Sequence, residues 1–393
     1  MIDISKVRRD TRATAKKIHF NNAGASLMPA PVIDAVRAYL DTEEQEGGYE
    51  AAAIHEEVLE GFYTSAARLI NARAKEIAFA ESATIAWGKV FFAFDWQPGD
   101  VILTAQAEYS SNFIAYLQTI RRRQVEVRVI PNDASGQIDL QKLADAIDEK
   151  TRLIAVTHMP TNGGLVNPAE AIGAIARAHD IPYLLDACQS AGQYPLDVEK
   201  IGCDFLSATG RKYLRGPRGT GFLYVREKWL DRLEPEQLDT GSALWEPGGV
   251  YTPLPSARRF ESWESSMASK AGLKKAFDYA WQLGVETIWE RVQMLAAQLR
   301  KTLSEQPGIQ VCDLGEVQSG IISFYAEGMD AATLKEELYQ RGINTSLIGK
   351  SGALLDTLHR DLPEMVRASL HYFNTEQEID AFVKALHAIR AGK

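Results

Sequence analysis

The chain has 393 residues, of which 46% are hydrophobic and 24% are charged. This composition excludes disordered and fibrous proteins, and the length is sufficient for a hydrophobic core divided over two domains. The formal net charge is −9 and no basic run exceeds the three arginines at positions 121–123, so we expect no nucleic-acid partner.

The three cysteines, at positions 188, 203 and 312, are too few for a disulfide framework and too widely spaced for a metal clip. We therefore expect a reducing, cytoplasmic setting and no metal site. The N-terminus, MIDISKVRRD, carries charge where a signal peptide needs an apolar core, and no stretch approaches the roughly 18 apolar residues of a membrane helix. The sequence thus predicts a soluble, unexported protein without a membrane partner.

The first predicted elements are two helices, over residues 31–46 and 51–72, with Gly47 and Gly48 between them. From Ile77 onward, short β-rich runs alternate with helical segments such as 139–150, where apolar residues line one face. This alternation is typical of a mostly parallel sheet covered by helices. Seven strands are predicted, over residues 77–80, 101–104, 125–130, 153–157, 183–186, 205–208 and 221–225.

The pattern changes beyond about residue 260. One long helix is predicted over 267–303, and shorter elements follow it: strands near 309–312 and 320–325, a helix over 332–341, strands near Asn344 and Arg367, and a helix over 375–390. We therefore predict an α/β protein with a large domain over residues 1–255 and a smaller α+β domain over 256–393. The N-terminal segment is counted with the large domain, and its packing on the small domain is the alternative.

Ligands of an open α/β sheet gather beyond the carboxyl ends of its strands, so the residues that follow each strand are the candidates for a binding site. After the strand at 77–80 comes ESAT, where the N-terminus of a helix could hold a phosphate, although a plain Ser N-cap explains the same residues. After the strand at 101–104 comes AEYSSN, in which Tyr109 could lie flat on a ligand ring or simply anchor a helix.

An acid, Asp186, ends the apolar strand at 183–186, and Gln189 follows it. A buried carboxylate needs a partner, so Asp186 is either a ligand contact or a helix cap. The next strand leads into a Gly-rich loop that carries Thr209, Arg211 and Lys212. A loop lysine is usually only solvated, but here a hydroxyl and a guanidinium beside it could neutralise a phosphate while the amine forms a covalent bond.

These features together satisfy the needs of pyridoxal phosphate. That cofactor requires a lysine for a Schiff base, an acid for its pyridine nitrogen, donors for its phosphate and an aromatic stack. A dinucleotide-binding fold would instead have G-x-G-x-x-G directly after the first strand, and that motif is absent there.

Eight motifs, in order, resemble the class V aminotransferase family of fold-type I pyridoxal phosphate enzymes, which contains cysteine desulfurases, kynureninases and isopenicillin-N-epimerase-like proteins. The motifs are HFNNAGASLMP (19–29), ESAT (81–84), AEYSSN (107–112), HMPTNGGLVNP (158–168), LLDACQSAGQYPLDV (184–198), DFLSATGRKYLRGPRGTGFLYV (204–225), RRFESWE (258–264) and VRASLHYFNTEQEID (366–380). The resemblance implies a seven-stranded large domain, a small C-terminal domain and a homodimer in which RRFESWE approaches the phosphate of the neighbouring subunit.

The resemblance also implies roles for single residues. Lys212 corresponds to the Schiff-base lysine, Asp186 to the partner of the pyridinium, and Gln189 to the contact of the ring hydroxyl oxygen. The remaining cofactor contacts that it implies are Ala83, Thr84, Thr209 and Arg211 at the phosphate, Tyr109 on the ring where many relatives have His, and Thr161 by the ring oxygen where many have Asn.

For the substrate, the resemblance implies that Arg367 clamps the α-carboxylate, a task that suits a planar bidentate donor. A surface ion pair is the alternative for this arginine. Asn22 and Ala23 are predicted to bind substrate with it. His158 is either a ligand or a structural histidine at a strand end.

Cysteine desulfurases that form a persulfide carry a nucleophilic cysteine shortly before this arginine, and residues 346–365 contain none. We therefore favour a C–S lyase that acts on an α-amino acid by β-elimination without a persulfide cysteine. An aminotransferase and an epimerase are the alternatives. A protein that binds the cofactor without turnover is least favoured, because Lys212 and Arg367 are both present.

Overall fold

The computed structural model describes residues 2–349 and 351–391. Its strands, in chain order, are β1 (Ile18–His19), β2 (Ile77–Ala80), β3 (Val101–Ala105), β4 (Glu126–Ile130), β5 (Thr151–Thr157), β6 (Tyr183–Asp186), β7 (Phe205–Thr209), β8 (Gly221–Val225), β9 (Ala243–Glu246), β10 (Val250–Pro253), β11 (Ile309–Val311), β12 (Ile321–Ala326), β13 (Ile343–Asn344), β14 (Ser346–Ile348) and β15 (Met365–Ser369). Its α-helices are α1 (Ile4–Asp10), α2 (Ala30–Glu46), α3 (Gly48–Ile54), α4 (Glu56–Ile70), α5 (Ala83–Phe91), α6 (Ser110–Arg123), α7 (Leu140–Asp145), α8 (Ala169–Ala178), α9 (Val198–Ile201), α10 (Met267–Leu283), α11 (Val285–Ser304), α12 (Ala331–Gln340), α13 (Leu354–His359) and α14 (Glu376–Ala391).

The large sheet has seven strands in the order β2-β8-β7-β6-β5-β3-β4, and β8 alone runs antiparallel to its neighbours. Both faces are buried. Leu103 and Ile154 belong to one apolar core, while their chain neighbours Ile102 and Leu153 belong to another on the opposite face. Continuous apolar runs are the sequence signature of such doubly covered strands, and the predicted α/β fold class is confirmed.

The parallel strands β2, β3, β5, β6 and β7 end at the same edge of this sheet. Because the segments that follow them start from that edge, residues far apart in the chain are brought together there. This edge positions the candidate site.

The predicted helix over 267–303 is wrong in one respect, because it is two helices. Helix α10 ends at Leu283 and α11 begins at Val285, with Gly284 between them at φ +81°. A residue in this conformation ends the helix, and glycine adopts it without a Cβ penalty. The N–H of Gly284 bonds to the carbonyl of Ala280 at 3.1 Å.

Two other helix predictions are too long. The segment 51–72 is divided at His55 into α3 and α4, and the helix that was predicted over 139–150 is only α7. The Asp148 side chain accepts from the backbone N–H of Lys150 and from the Thr151 hydroxyl. Such local bonds favour a turn over a further helical turn.

The small sheet is antiparallel, in the order β11-β12-β15-β14. Helices α11, α12 and α14 cover it, with Leu299, Leu334 and Phe382 in a shared core. The N-terminal segment joins this region because β1 pairs with β13 in parallel.

The domain division at residue 255 stays a prediction, but the packing favours a later one. Helix α10 lies along α2 and α4, and its residues Leu273 and Phe277 belong to the core of the large sheet. Within α11, Val292 still belongs to that core whereas Leu295 belongs to the small one. No helix among the described residues is both long and apolar enough to cross a membrane.

Candidate active site

A cavity of about 280 Å³ opens at the carboxyl edge of the large sheet. Its walls contain all nine residues that were predicted to contact the cofactor, namely Ala83, Thr84, Tyr109, Thr161, Asp186, Gln189, Thr209, Arg211 and Lys212. Ala83 and Lys212 are more than 100 residues apart in the chain. The strand order of the sheet brings them to the same cavity.

Asp186 stands at the end of β6 and is 4% exposed. Its Oδ1 accepts from the backbone N–H of Cys188 at 2.9 Å, and its Oδ2 accepts from Asn112 Nδ2 at 3.0 Å. These bonds stabilise the carboxylate and fix its orientation in the wall of the cavity. An acid held in this way is suited to face a protonated ring nitrogen.

Lys212 follows β7 in the Gly-rich loop and is 8% exposed. Burial lowers the pKa of its ammonium, and the charges of Arg211 and Arg367 lower it further, against the opposing charge of Asp186. A lowered pKa leaves more of the neutral amine, the form that attacks a carbonyl or takes a proton. The Nζ of Lys212 is 5.9 Å from the centre of the Tyr109 ring.

One end of the cavity is suited to an anion. Helix α5 begins here with Ser82 as its N-cap, and Arg211 Nη1 donates to Thr209 Oγ1 at 3.0 Å. A Cβ on Gly221 would lie 2.6 Å from the Ala208 carbonyl oxygen and 3.1 Å from the Ala83 nitrogen, so a glycine is what lets β8 pass so close to the start of α5. A helix N-terminus with an adjacent guanidinium is a common phosphate site.

Arg367 reaches the same region from β15 in the small sheet. Its Nη1 donates to Thr161 Oγ1 at 2.6 Å and to the Thr161 carbonyl at 3.1 Å, and burial lowers the pKa of its guanidinium to about 10. Its Nε is buried without a hydrogen-bond partner in the described part of the chain. A buried guanidinium with a free donor can bind a carboxylate.

Like Arg367, Asn22 and Ala23 are not among the residues that line the cavity. Asn22 Nδ2 donates to the Ser369 carbonyl at 2.8 Å, and Asn22 Oδ1 accepts from the Ser26 hydroxyl. Both ends of the amide therefore already have hydrogen-bond partners. The Ala23 carbonyl accepts from Gln189 Nε2 at 3.2 Å. Their contact with substrate stays a prediction.

His158 is also outside the wall of the cavity. Its Nδ1 bonds to Ser190 Oγ at 2.8 Å, its ring packs edge-on against Tyr194, and burial lowers its pKa to about 4. These contacts favour the structural alternative for this histidine. Trp263 and Glu264 line a different groove, and Tyr251 lines a third.

Sequence reasoning missed two buried residues that stand next to Asp186. Glu108 and Asn112 lie in the AEYSSN motif on either side of Tyr109, and both are buried. The available signal was an acid between an apolar strand and a helix, where a buried charge is costly. Cys188 also lines the cavity.

A lysine, an acid and an anion pocket at the carboxyl edge of such a sheet define the class of fold-type I pyridoxal phosphate enzymes. The sequence model of the family described as aminotransferase class V matches residues 18–382. The chain therefore belongs to the class V aminotransferase family, and the predicted family, the cofactor of the class and the prediction of an enzyme are confirmed.

Two curated relatives cover nearly the same length. A probable cysteine desulfurase of Methanothermobacter thermautotrophicus is 32% identical over 98% of this chain and 97% of its own. A probable cysteine desulfurase of Synechocystis is 30% identical over 94% of this chain and 90% of its own. The chain is thus a cysteine-desulfurase-like enzyme of class V.

Two solved structures share the fold. The apo cysteine desulfurase from Thermococcus onnurineus NA1 is 25% identical, with a TM-score of 0.92 over 100% of this chain and 99% of its own. The cystine C–S lyase C-DES, in complex with its reaction product cysteine persulfide, is 24% identical, with a TM-score of 0.86 over 95% of this chain and 98% of its own.

The cavity fits pyridoxal phosphate on grounds independent of these names. Gln189 Oε1 is buried and, like Arg367 Nε, has no hydrogen-bond partner among the described residues. Native proteins seldom leave buried polar atoms unpaired, so such atoms around a cavity indicate a bound polar group. Asp186, Lys212 and the anion pocket line one cavity and would offer partners to the ring nitrogen, the aldehyde and the phosphate of the cofactor.

Proposed function

We propose that this protein is a C–S lyase that removes the sulfur substituent of a cysteine-type amino acid by β-elimination, without a persulfide on the enzyme. The observation that carries the proposal is the segment before Arg367, which has no cysteine although it borders the cavity. The Ser110 hydroxyl donates to the Gly352 carbonyl at 2.9 Å, and Asn162 Nδ2 donates to Thr357. A nucleophile on this segment would be near the substrate.

The cysteine that does line the cavity is a poor substitute. Burial raises the pKa of the Cys188 thiol above its ordinary value, and the neighbouring charge of Asp186 raises it further. Because the thiolate is the nucleophile, a thiol that is held protonated does not readily take over a sulfur atom.

Pyridoxal phosphate, when bound, supplies an electron sink for a carbanion at the substrate Cα. We assign the remaining work to the residues of the chain. Asp186 keeps the ring nitrogen protonated, and Thr209 and Arg211 hold the phosphate with the first N–H groups of α5. Arg367 binds the substrate carboxylate, and its unpaired Nε supports this assignment.

Lys212 is the general base in this proposal. Its Nζ takes the Cα proton, the Cβ–S bond breaks, and sulfur leaves with the bonding electron pair and is protonated. The addition of water then releases pyruvate and ammonia. For cysteine the balance is cysteine plus water to pyruvate, ammonia and hydrogen sulfide, with no external oxidant or reductant.

The test is product analysis of the purified protein with pyridoxal phosphate and either cysteine or cystine. We expect pyruvate in equal amount to the released sulfur product and no persulfide on the protein by intact mass. Alanine together with a persulfidated protein would instead show a desulfurase relay. Consumption of a keto acid with transfer of the amino group would show an aminotransferase, and a change of configuration alone would show an epimerase.

We further propose a homodimer. The support is a set of exposed aromatic side chains near the RRFESWE segment, with Tyr49 77% exposed and Trp263 54% exposed on a groove of about 640 Å³. Exposed apolar surface of this kind is typical of an interface. A monomer in light scattering at micromolar concentration would contradict the proposal.

A cytoplasmic setting is also proposed. All three cysteines are unpaired, which is usual in a reducing compartment. Fractionation of the source cells with detection of the protein in the soluble cytoplasmic fraction tests it.

A further inference from the structure

Glu108 is a second carboxylate close to the cavity, and neither the motif nor the proposed mechanism uses it. It is 3% exposed and receives five hydrogen bonds. Oε1 accepts from the backbone N–H of Tyr109 at 2.9 Å, from Asn112 Nδ2 at 2.8 Å and from the Thr157 hydroxyl. Oε2 accepts from Thr104 Oγ1 at 3.0 Å and from the backbone N–H of Thr157 at 3.1 Å.

Asn112 links this carboxylate to Asp186. The same Nδ2 atom donates to Glu108 Oε1 and, at 3.0 Å, to Asp186 Oδ2. The three side chains come from the loop after β3, from α6 and from β6, so their contact fixes three elements of the cavity relative to one another. One donor shared by two carboxylates couples the position of one to the position of the other.

The charges that face Glu108 are those of acids. Among the described residues it has no ion-pair partner, and the carboxylate whose charge acts on it is that of Asp186. Tyr116 of α6 and Tyr183 of β6 are the other titratable groups around it, and burial, together with the charge of Glu108, raises the pKa of both hydroxyls. The five hydrogen bonds that it accepts offset part of the cost of burying this carboxylate, and none of them comes from a cation, so no ion pair neutralises its charge.

We propose that Glu108 is a positioning residue, which orients the Asp186 carboxylate through Asn112 and adds a second negative charge behind it. The inference rests on the proposed function, because Asp186 acts there on the cofactor ring. A second negative charge raises the proton affinity of the ring nitrogen and of Lys212 Nζ, the nitrogen that binds the cofactor. A ring nitrogen that stays protonated increases the capacity of the ring to accept electrons.

This charge depends on pH in the neutral range. Burial raises the pKa of Glu108 to about 7, with the charge of Asp186 acting in the same direction and the bonds from Thr157 and Asn112 acting against both. The second negative charge is therefore present above pH 7 and is lost progressively below it. We therefore expect the turnover rate to fall as the pH drops below 7.

The experiment is a pH titration of the visible absorbance of the protein loaded with pyridoxal phosphate. In Glu108→Gln the midpoint of the titration moves to lower pH by about one unit, because a negative charge is lost. Glu108→Asp keeps the charge and brings the midpoint back towards that of the unchanged protein. The matched control is Glu76→Gln, since Glu76 is also buried and accepts two backbone N–H groups, but precedes β2 at the opposite edge of the sheet.

Kinetics give a second measurement. Glu108→Gln lowers kcat about tenfold and leaves KM for the amino acid within twofold, because the charge acts on the ring nitrogen of the cofactor and not on the carboxylate clamp. If this variant does not fold, carbon-13 NMR of labelled glutamate carboxyls in the unchanged protein replaces it. A resonance with a midpoint near pH 7 is expected, and it moves to lower pH when pyridoxal phosphate is bound, because coupling is reciprocal.

The outcomes separate this inference from the function on which it rests. A normal visible band with the same midpoint in Glu108→Gln as in Glu76→Gln overturns the role of Glu108 alone. So does a glutamate resonance that the cofactor leaves unchanged. A protein that forms no visible band with pyridoxal phosphate overturns the proposed function and this inference together.

Discussion

The two sheets of this protein contribute to the candidate site in different ways. The large sheet supplies its groups from strand ends and the loops that follow, as with Asp186 at the end of β6 and Lys212 in the loop after β7. The small sheet supplies Arg367 from the middle of β15, which pairs with β12 on one side and β14 on the other. The groups proposed for the cofactor thus come from the large sheet. The position of the group proposed for the substrate depends on how the small sheet packs against the large domain.

A few buried hydrogen bonds hold the small sheet against the large domain. The N–H of Ser319 donates to the Gly164 carbonyl at 2.7 Å, and Gly320 donates to Gln193 Oε1 at 3.2 Å. Arg367 itself bonds to Thr161 of the large domain. Damage to the large sheet should therefore abolish the chemistry, whereas damage to the small sheet should weaken substrate binding and leave the cofactor in place.

The largest effect is expected from Lys212→Ala. Because the variant lacks the amine that takes the Cα proton, turnover falls by about a thousandfold or more while the anion pocket still retains cofactor noncovalently. Turnover and cofactor content of the purified variant are the measurements. Lys212→Arg should be equally inactive, whereas Lys142→Ala on the exposed surface should keep full activity. Full activity in Lys212→Ala would remove the mechanism.

The buried pair of the small domain comes next. Arg300 Nε donates to Asp313 Oδ2 at 2.7 Å, and the two side chains are 11% and 1% exposed. Asp313→Ala leaves the guanidinium buried without its partner, so the free energy of unfolding falls by about 3 kcal/mol. Urea denaturation measures it, with cofactor absorbance expected to be retained before unfolding.

The control for this pair is Glu305→Ala. Its partner Lys301 is 4.0 Å away and both side chains are exposed, so the change in stability should be close to zero. Equal losses in the two variants would mean that the buried pair does not hold the small sheet.

A smaller effect is expected from Arg367→Ala. Loss of a charge-assisted pair to the substrate carboxylate costs about 2 kcal/mol, equivalent to a rise in KM of about 30-fold. Initial rates over a range of substrate concentrations measure it. Arg367→Lys keeps the charge without the planar fork, so its KM should lie between those of the unchanged protein and Arg367→Ala. An unchanged KM in the alanine variant would assign this arginine to structure.

The smallest effect concerns His158. Burial lowers its pKa to about 4, so the folded state favours the neutral ring. The resulting stability is present above the unfolded pKa near 6.5 and is lost as the pH falls through the folded value. Between pH 7 and pH 5 the free energy of unfolding of the unchanged protein should fall by about 1 to 2 kcal/mol more than that of His158→Gln. Urea denaturation at the two pH values measures the difference, and equal losses would contradict it.

Much of the fold was predictable because its signals are local. The strands are continuous apolar runs, and the observed bounds of β2, β6 and β8 coincide with those predicted. The helix over 267–303 was predicted too long because apolar periodicity continues across Gly284, while the backbone there turns to positive φ. Periodicity reports which face is buried and does not report where a helix axis changes direction.

The sequence by itself determined the chemistry that follows each strand of the large sheet. Lys212, Asp186 and the ESAT segment each follow an apolar run at the sheet edge where ligands bind, and only their combination meets the needs of one cofactor. Tertiary structure decided which of these residues share a wall. It bound the Asn22 amide to the Ser369 carbonyl and brought Glu108 to Asp186 through Asn112, which lies 74 residues from that acid in the chain. The physical reason is that a hydrogen-bond network depends on the distances between strands, which strand order and register set and local sequence does not encode.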